Sequence, residues 1–226
     1  METERVGLAV FDFDGTCIGG QSGALFSTYL FKRGYVSPKN AGKLAWWAFR
    51  YLFHLPHEQN TAREAVFGGL GGLNATQVNA IMRAFHDEVL LKRYRPRAEE
   101  EVRRCKQEGL MTILVSATFI GIARPAAEHL GVDALLATEM EKTPEGNFTG
   151  YVQGEVIAGP VKRSAVAAWA DDHIGPGKWY IARAYGDHHT DQYLLGAAHE
   201  PVAVCPGRTL RKLAKQEGWR IVDWSV

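Results

Sequence analysis

The sequence predicts an α/β fold: a Rossmann-like, three-layer core around a parallel sheet, with an all-helical cap inserted after the first strand. Three observations predict it. Short apolar runs rich in β-formers alternate with charged, helix-patterned segments, the pattern of a parallel sheet covered on both faces. Between about residues 22 and 91 the alternation stops, and only helical patterns remain. It then resumes to the end of the chain. The predicted division is a core of residues 1–18 and 92–226 and a cap of residues 19–91.

Residues 6–13 are the first predicted strand, an apolar run broken by the turn former Gly15. The insertion carries helical patterns at 23–32, 38–53 and 75–90, with Asn74 as N-cap of the last. Its glycine run, Gly68-Gly69-Leu70-Gly71-Gly72, reads equally as a hinge or as a turn between helices. Residues 96–108 are predicted as a helix with a charged face, and 111–116 as a second buried strand. A helix at 124–130, stopped by Gly131, and a strand at 135–138 follow. A helix at 161–171, strands at 180–185 and 202–204, and a helix at 209–217, stopped by Gly218, complete the series.

Composition excludes several classes. With 46% hydrophobic residues among 226, one core with an insertion is well supplied. The net charge is +1, and basic residues are scattered among acids, as in Arg97, Glu99, Glu100, Glu101, Arg103 and Arg104. No nucleic-acid footprint is expected. Cys17, Cys105 and Cys205 are odd in number and widely spaced, so neither a disulfide framework nor a zinc ribbon is expected. The acidic N-terminus is unlike a signal peptide, and no apolar run approaches the roughly 20 residues of a membrane span. A cytoplasmic protein is expected.

The chemistry starts at Asp12 and Asp14, two carboxylates at the end of an apolar strand. Burying both is costly unless a cation or a reaction needs them. A Mg2+ site built from carboxylates and a substrate phosphate fits, and ligands of open α/β sheets sit at the carboxyl ends of strands. A calcium loop is rejected, because Gly23 stands where its twelfth-position glutamate belongs. A plain Asp-Gly turn stays open. Asp187 and Asp191 follow a later strand, with spacing that puts both on one face of a helix start. Taken alone, an N-cap beside an ordinary surface acid is the preferred explanation. His188 and His189 lie between them and could contact a substrate or a water beside it. Ser116 ends a buried strand and could offer its hydroxyl to a phosphate oxygen, or simply cap a helix. Lys162 opposes the dipole of its own helix start, which a nearby anion would justify.

In order and placement, this series resembles the haloacid dehalogenase superfamily of phosphohydrolases, and within it the phosphoserine-phosphatase-like branch (subfamily IB). The likeness runs from Val6 to about Trp224. It implies Mg2+-dependent hydrolysis of a phosphate monoester through an aspartyl-phosphate. Asp12 would be nucleophile and metal ligand. Asp14 would be acid and base, and its carbonyl a metal ligand. Thr16 would fix the loop beside the phosphate, Ser116 and Lys162 would hold phosphoryl oxygens, Asp187 would bind the metal, and Asp191 would support Lys162 or the metal shell.

Departures bear on the substrate. Gln21 stands where the branch places a glutamate for an ammonium group, Arg63 is slightly displaced from the usual cap arginine, and Ala117-Thr118 and Thr190 replace a Gly-Gly pair and an asparagine. These point away from free phosphoserine. The aromatic segment 44–53 reads as cap core, as a greasy pocket for a lipid phosphate, or as a peripheral membrane contact. Rival readings are a phosphotransferase on the same fold, a catalytically silent binding protein, and a cysteine-dependent phosphatase built on Cys205 and Arg211. Oligomeric state is not specified.

Overall fold

The structure, a computed structural model, describes residues 5–35, 70 and 73–225. In chain order, β1 is Val6–Asp12, α1 Ser22–Lys32, α2 Ala75–Phe85, α3 Pro96–Gln107, β2 Met111–Phe119, α4 Ile120–Leu130, β3 Ala134–Lys142, β4 Phe148–Gln153, α5 Pro160–His173, β5 Trp179–Gly186, α6 Gln192–Leu195, β6 Glu200–Val204, α7 Arg208–Gln216 and β7 Arg220–Val222. They form one sheet of order β4-β3-β2-β1-β5-β6-β7. Every pairing is parallel except that of β3 with the edge strand β4.

β1 sits centrally because both its faces are apolar. Leu8 and Val10 join Ile113 and Val115 on one face, under α5, α6 and α7, through Val166, Ala170, Leu194, Leu195, Leu210 and Ala214. Ala9 and Phe11 join Leu114 and Tyr185 on the other, under α3 and α4. The Phe11 and Tyr185 rings stack at 4.3 Å between centroids, fixing β1 against β5. The result is a three-layer sandwich.

The segment between β1 and α3 begins and ends side by side. Gly19 N–H donates to Arg93 O at 2.8 Å and Arg95 N–H donates to Cys17 O at 2.9 Å, around an antiparallel bridge between Ile18 and Tyr94. Its helix α2 has a full capping box at Asn74. It packs so closely on α4 that a Cβ on Gly121 would lie 2.4 Å from Met82 Sδ. Arg83 and Glu128 pair across the same contact at 2.5 Å.

Several elements differ from the sequence reading. β1 ends at Asp12, one residue earlier. β2 continues past Ser116 to Phe119, with a register shift, and α4 therefore begins at Ile120 with Pro125 inside it. β4 and β7 were not expected: one is a short edge strand, the other three residues long. The predicted helix 75–90 changes to a π turn at His86–Leu90. The helix predicted at 38–53, the aromatic segment within it and the glycine run, apart from Leu70, lie outside the described residues. Among the described residues, no helix is long and apolar enough to cross a membrane.

Candidate active site

β2 and β5 flank β1 on opposite sides, so the sheet's direction of growth reverses at β1 and a crevice opens at its carboxyl end. Asp12 is the last residue of β1. Its Oδ2 accepts the Thr16 hydroxyl at 3.0 Å, and its Oδ1 accepts Lys162 Nζ at 2.6 Å. Lys162 lies in the first turn of α5, after Gly159 and Pro160. There it reaches inward, buried, to bridge Asp12 and Asp191 Oδ1, each at 2.6 Å. The anion that its position called for is thus this carboxylate pair.

Asp187 and Asp191 do not share a helix face. Asp187 follows β5, and Asp191 closes a single 3-10 turn at His189–Asp191. The turn still brings them together: Asp12, Asp187 and Asp191 each place a carboxylate oxygen within 4.8 Å of the others. Asp191 is committed to Lys162 and, through Oδ2, to His188 N–H at 3.1 Å. Among the described residues, the Asp187 carboxylate has no hydrogen-bond donor. His188 is exposed, with Nδ1 2.9 Å from Thr190 Oγ1, and His189 is half-buried.

Two glycines make this convergence sterically feasible. Gly15 has φ +81°, and a Cβ there would lie 2.1 Å from Asp187 Oδ2; a Cβ on Gly186 would lie 2.7 Å from Asp191 Cβ. Arg95 Nη2 donates to Gly15 O at 3.3 Å, and Gly207 N–H donates to Asp187 O at 3.2 Å.

Asp14, half-buried, is held by one residue. Ser22 donates its N–H to Oδ1 at 2.6 Å and its hydroxyl to Oδ2 at 2.9 Å. Ser22 Oγ lies 2.6 Å from Thr118 Oγ1, and Thr118 N–H donates to Ser116 Oγ at 3.0 Å. Ser116 is therefore buried on β2 beside the site, not at the strand's end. Gln21 is half-buried at the N-cap of α1. Sequence reasoning missed Ser22, Arg95 and Gly186, and took Thr118 only as a departure from a pattern.

Among the described residues, four carboxylates of the site face one ammonium, and burial dominates their electrostatics. Burial pushes Asp12 up to about 7 and Asp14 up to about 6, the latter opposed by the two Ser22 bonds. Burial, then the charges of Asp12 and Asp191, push Asp187 up to about 8. Lys162 stays charged: burial opposes its ammonium, but Asp12 and Asp191 outweigh it. Packed carboxylate oxygens that resist ionisation together, one with no hydrogen-bond donor among the described residues, fit a hard divalent cation such as Mg2+. Asp12 and Asp187 would hold it, with the Asp14 carbonyl.

Cys205 offers no comparable site. Its sulfur accepts Trp224 N–H at 3.1 Å and lies 3.4 Å from the Asp223 carboxylate.

The model of the haloacid dehalogenase-like hydrolases matches residues 9–196, a span that takes in every one of these acids. The chain belongs to this family. A phosphoserine phosphatase of Mycobacterium tuberculosis is 27% identical to this hydrolase over 224 residues, covering 96% of this chain and 71% of that protein. A histidinol-phosphatase of Neisseria meningitidis is 25% identical over 226 residues, covering 96% of this chain and 98% of that protein. A solved structure of a protein of unknown function from Bordetella pertussis superposes with a TM-score of 0.86 at 26% identity, covering 98% of this chain and 100% of that one. With its family and its donor set, this hydrolase is of the phosphoric monoester class.

Proposed function

We propose that this enzyme hydrolyses a small-molecule phosphate monoester in two steps through an aspartyl-phosphate on Asp12. The observation that carries the reading is the hold on Asp12. Its carboxylate is oriented by Thr16 and Lys162, with Asp14 two residues on along the same loop. An Asp12 oxygen bonds to phosphorus as the bond to the leaving oxygen breaks. That oxygen keeps the electron pair and takes the proton of Asp14. The Asp14 carboxylate next takes a proton from water as the water oxygen bonds to phosphorus. The bond to Asp12 then breaks, and phosphate departs. Lys162 and Ser116 stabilise the phosphoryl oxygens, and Asp191 keeps Lys162 in place. Bound Mg2+ supplies further neutralisation of the transferring group.

Residues 19–91 act as a cap that excludes water during the first step. The paired linkers at Cys17–Gly19 and Arg93–Arg95 support this, since they give the insertion one shared attachment. The substrate is an alcohol phosphate. The names of two relatives suggest phosphoserine or histidinol phosphate, whereas the neutral Gln21 argues against selection of an ammonium group at that position.

The test is phosphate release from p-nitrophenyl phosphate with and without Mg2+, for wild type and Asp12→Asn. Mg2+-dependent turnover abolished by the substitution supports the reading. Turnover that survives both EDTA and the substitution refutes it.

A further inference from the structure

We infer that Ser22 and Thr118 form a hydroxyl pair that positions the Asp14 carboxyl for proton transfer and ties it to the first helix of the insertion. The inference rests on the acid–base role of Asp14 given above and adds two residues to it. Ser22 is the first residue of α1 and is fully buried. It grips both Asp14 oxygens at once, at 2.6 and 2.9 Å, and two bonds from one residue fix the plane of a carboxyl as well as its place.

The second hydroxyl completes the arrangement. Ser22 Oγ carries one proton. When it donates that proton to Asp14, the Thr118 hydroxyl 2.6 Å away is left to donate to Ser22. Thr118 is anchored in β2, and its N–H holds Ser116 Oγ at 3.0 Å. Ser22 belongs to the insertion and Thr118 to the sheet, 96 residues apart. The orientation of Asp14 therefore depends on a contact between the two parts of the chain.

Local structure does not require these hydroxyls. The N-cap of α1 is Gln21, with no side-chain cap bond, and alanine suits a first helical turn. Two hydroxyls buried without partners would be destabilising, and Asp14 gives them a reason to be there.

Both are positioning residues, and the leaving group distinguishes positioning from general structural support. p-Nitrophenolate departs without a proton, whereas an alkoxide needs one from Asp14. kcat/KM reports the steps up to formation of the aspartyl-phosphate, where this difference acts. It is measured for p-nitrophenyl phosphate and for β-glycerophosphate with wild type, Asp14→Asn, Ser22→Ala, Thr118→Val and Thr118→Ser. Ser22→Ala and Thr118→Val should lower kcat/KM for β-glycerophosphate about tenfold, and for p-nitrophenyl phosphate less than about threefold. Thr118→Ser, which keeps the hydroxyl, should stay near wild type. Equal losses on the two substrates, or no loss, would overturn the inference while Asp14→Asn still discriminates between them. If Asp14→Asn also loses equally on both, the acid role of Asp14 falls and this inference falls with it. Should Ser22→Ala not fold, the nearly isosteric Thr118→Val decides alone.

Discussion

Gly15 and Asp187 lie against one another on the floor of the site, so close that one added carbon on Gly15 would sit 2.1 Å from Asp187 Oδ2. The glycine meets two demands together. Its φ of +81° belongs to the left-handed region, and its bare Cα lets the Asp187 carboxylate approach the loop that follows Asp12.

Gly15→Ala should therefore damage the site more than the fold. Displacing Asp187 by an ångström or so should lower kcat/KM by about a hundredfold. The rise in melting temperature on adding Mg2+ should shrink in parallel. Steady-state kinetics and thermal unfolding with and without Mg2+ check both.

Lys162 is the only ammonium among the four described carboxylates of the site. Lys162→Met keeps the volume but leaves Asp12 and Asp191 facing one another without a counter-charge. The expected destabilisation is about 3–5 kcal/mol, read from urea unfolding at neutral pH in EDTA. Adding Asp191→Asn should recover part of that stability but none of the activity.

The raised carboxyls set a pH dependence. The folded protein holds protons on Asp14, Asp12 and Asp187 up to about 6, 7 and 8, whereas the unfolded chain releases them near 3.8. Between those limits the folded state binds more protons, so the stability of the metal-free protein falls as pH rises. Mg2+ favours the ionised carboxylates, so its stabilisation should grow over the same range. The gap in melting temperature between saturating Mg2+ and EDTA should widen from about pH 5 to about pH 8, reaching about 5 °C. A gap as wide at the acid end would contradict this origin of the raised values.

The legible parts of the molecule were those written in consecutive residues. β1 reads as a strand because a central parallel strand is apolar on both faces, and Asp12 and Asp14 stand out because charge at its end needs a reason. Lys162 is legible through its unfavourable place in a helix start. Asp187 and Asp191 were found by their order in a family-like series; their spacing suggested a helix face, where a 3-10 turn supplies the convergence. Ser22 and Thr118 were illegible because tertiary contact alone gives those hydroxyls their role. β7 is only three residues long, and β4 is an edge strand with Thr149, Tyr151 and Gln153 exposed, so neither leaves a continuous apolar run.

A covalent aspartyl-phosphate on Asp12 can be caught by chemical trapping. The enzyme is quenched during turnover of p-nitrophenyl phosphate with Mg2+ and reduced with borohydride, which converts an acyl phosphate to an alcohol. Peptide mass spectrometry then locates the change. Homoserine is expected at position 12 in the wild type and none in Asp12→Asn. Turnover with no modification at Asp12, or with phosphate carried on Cys205, would contradict it.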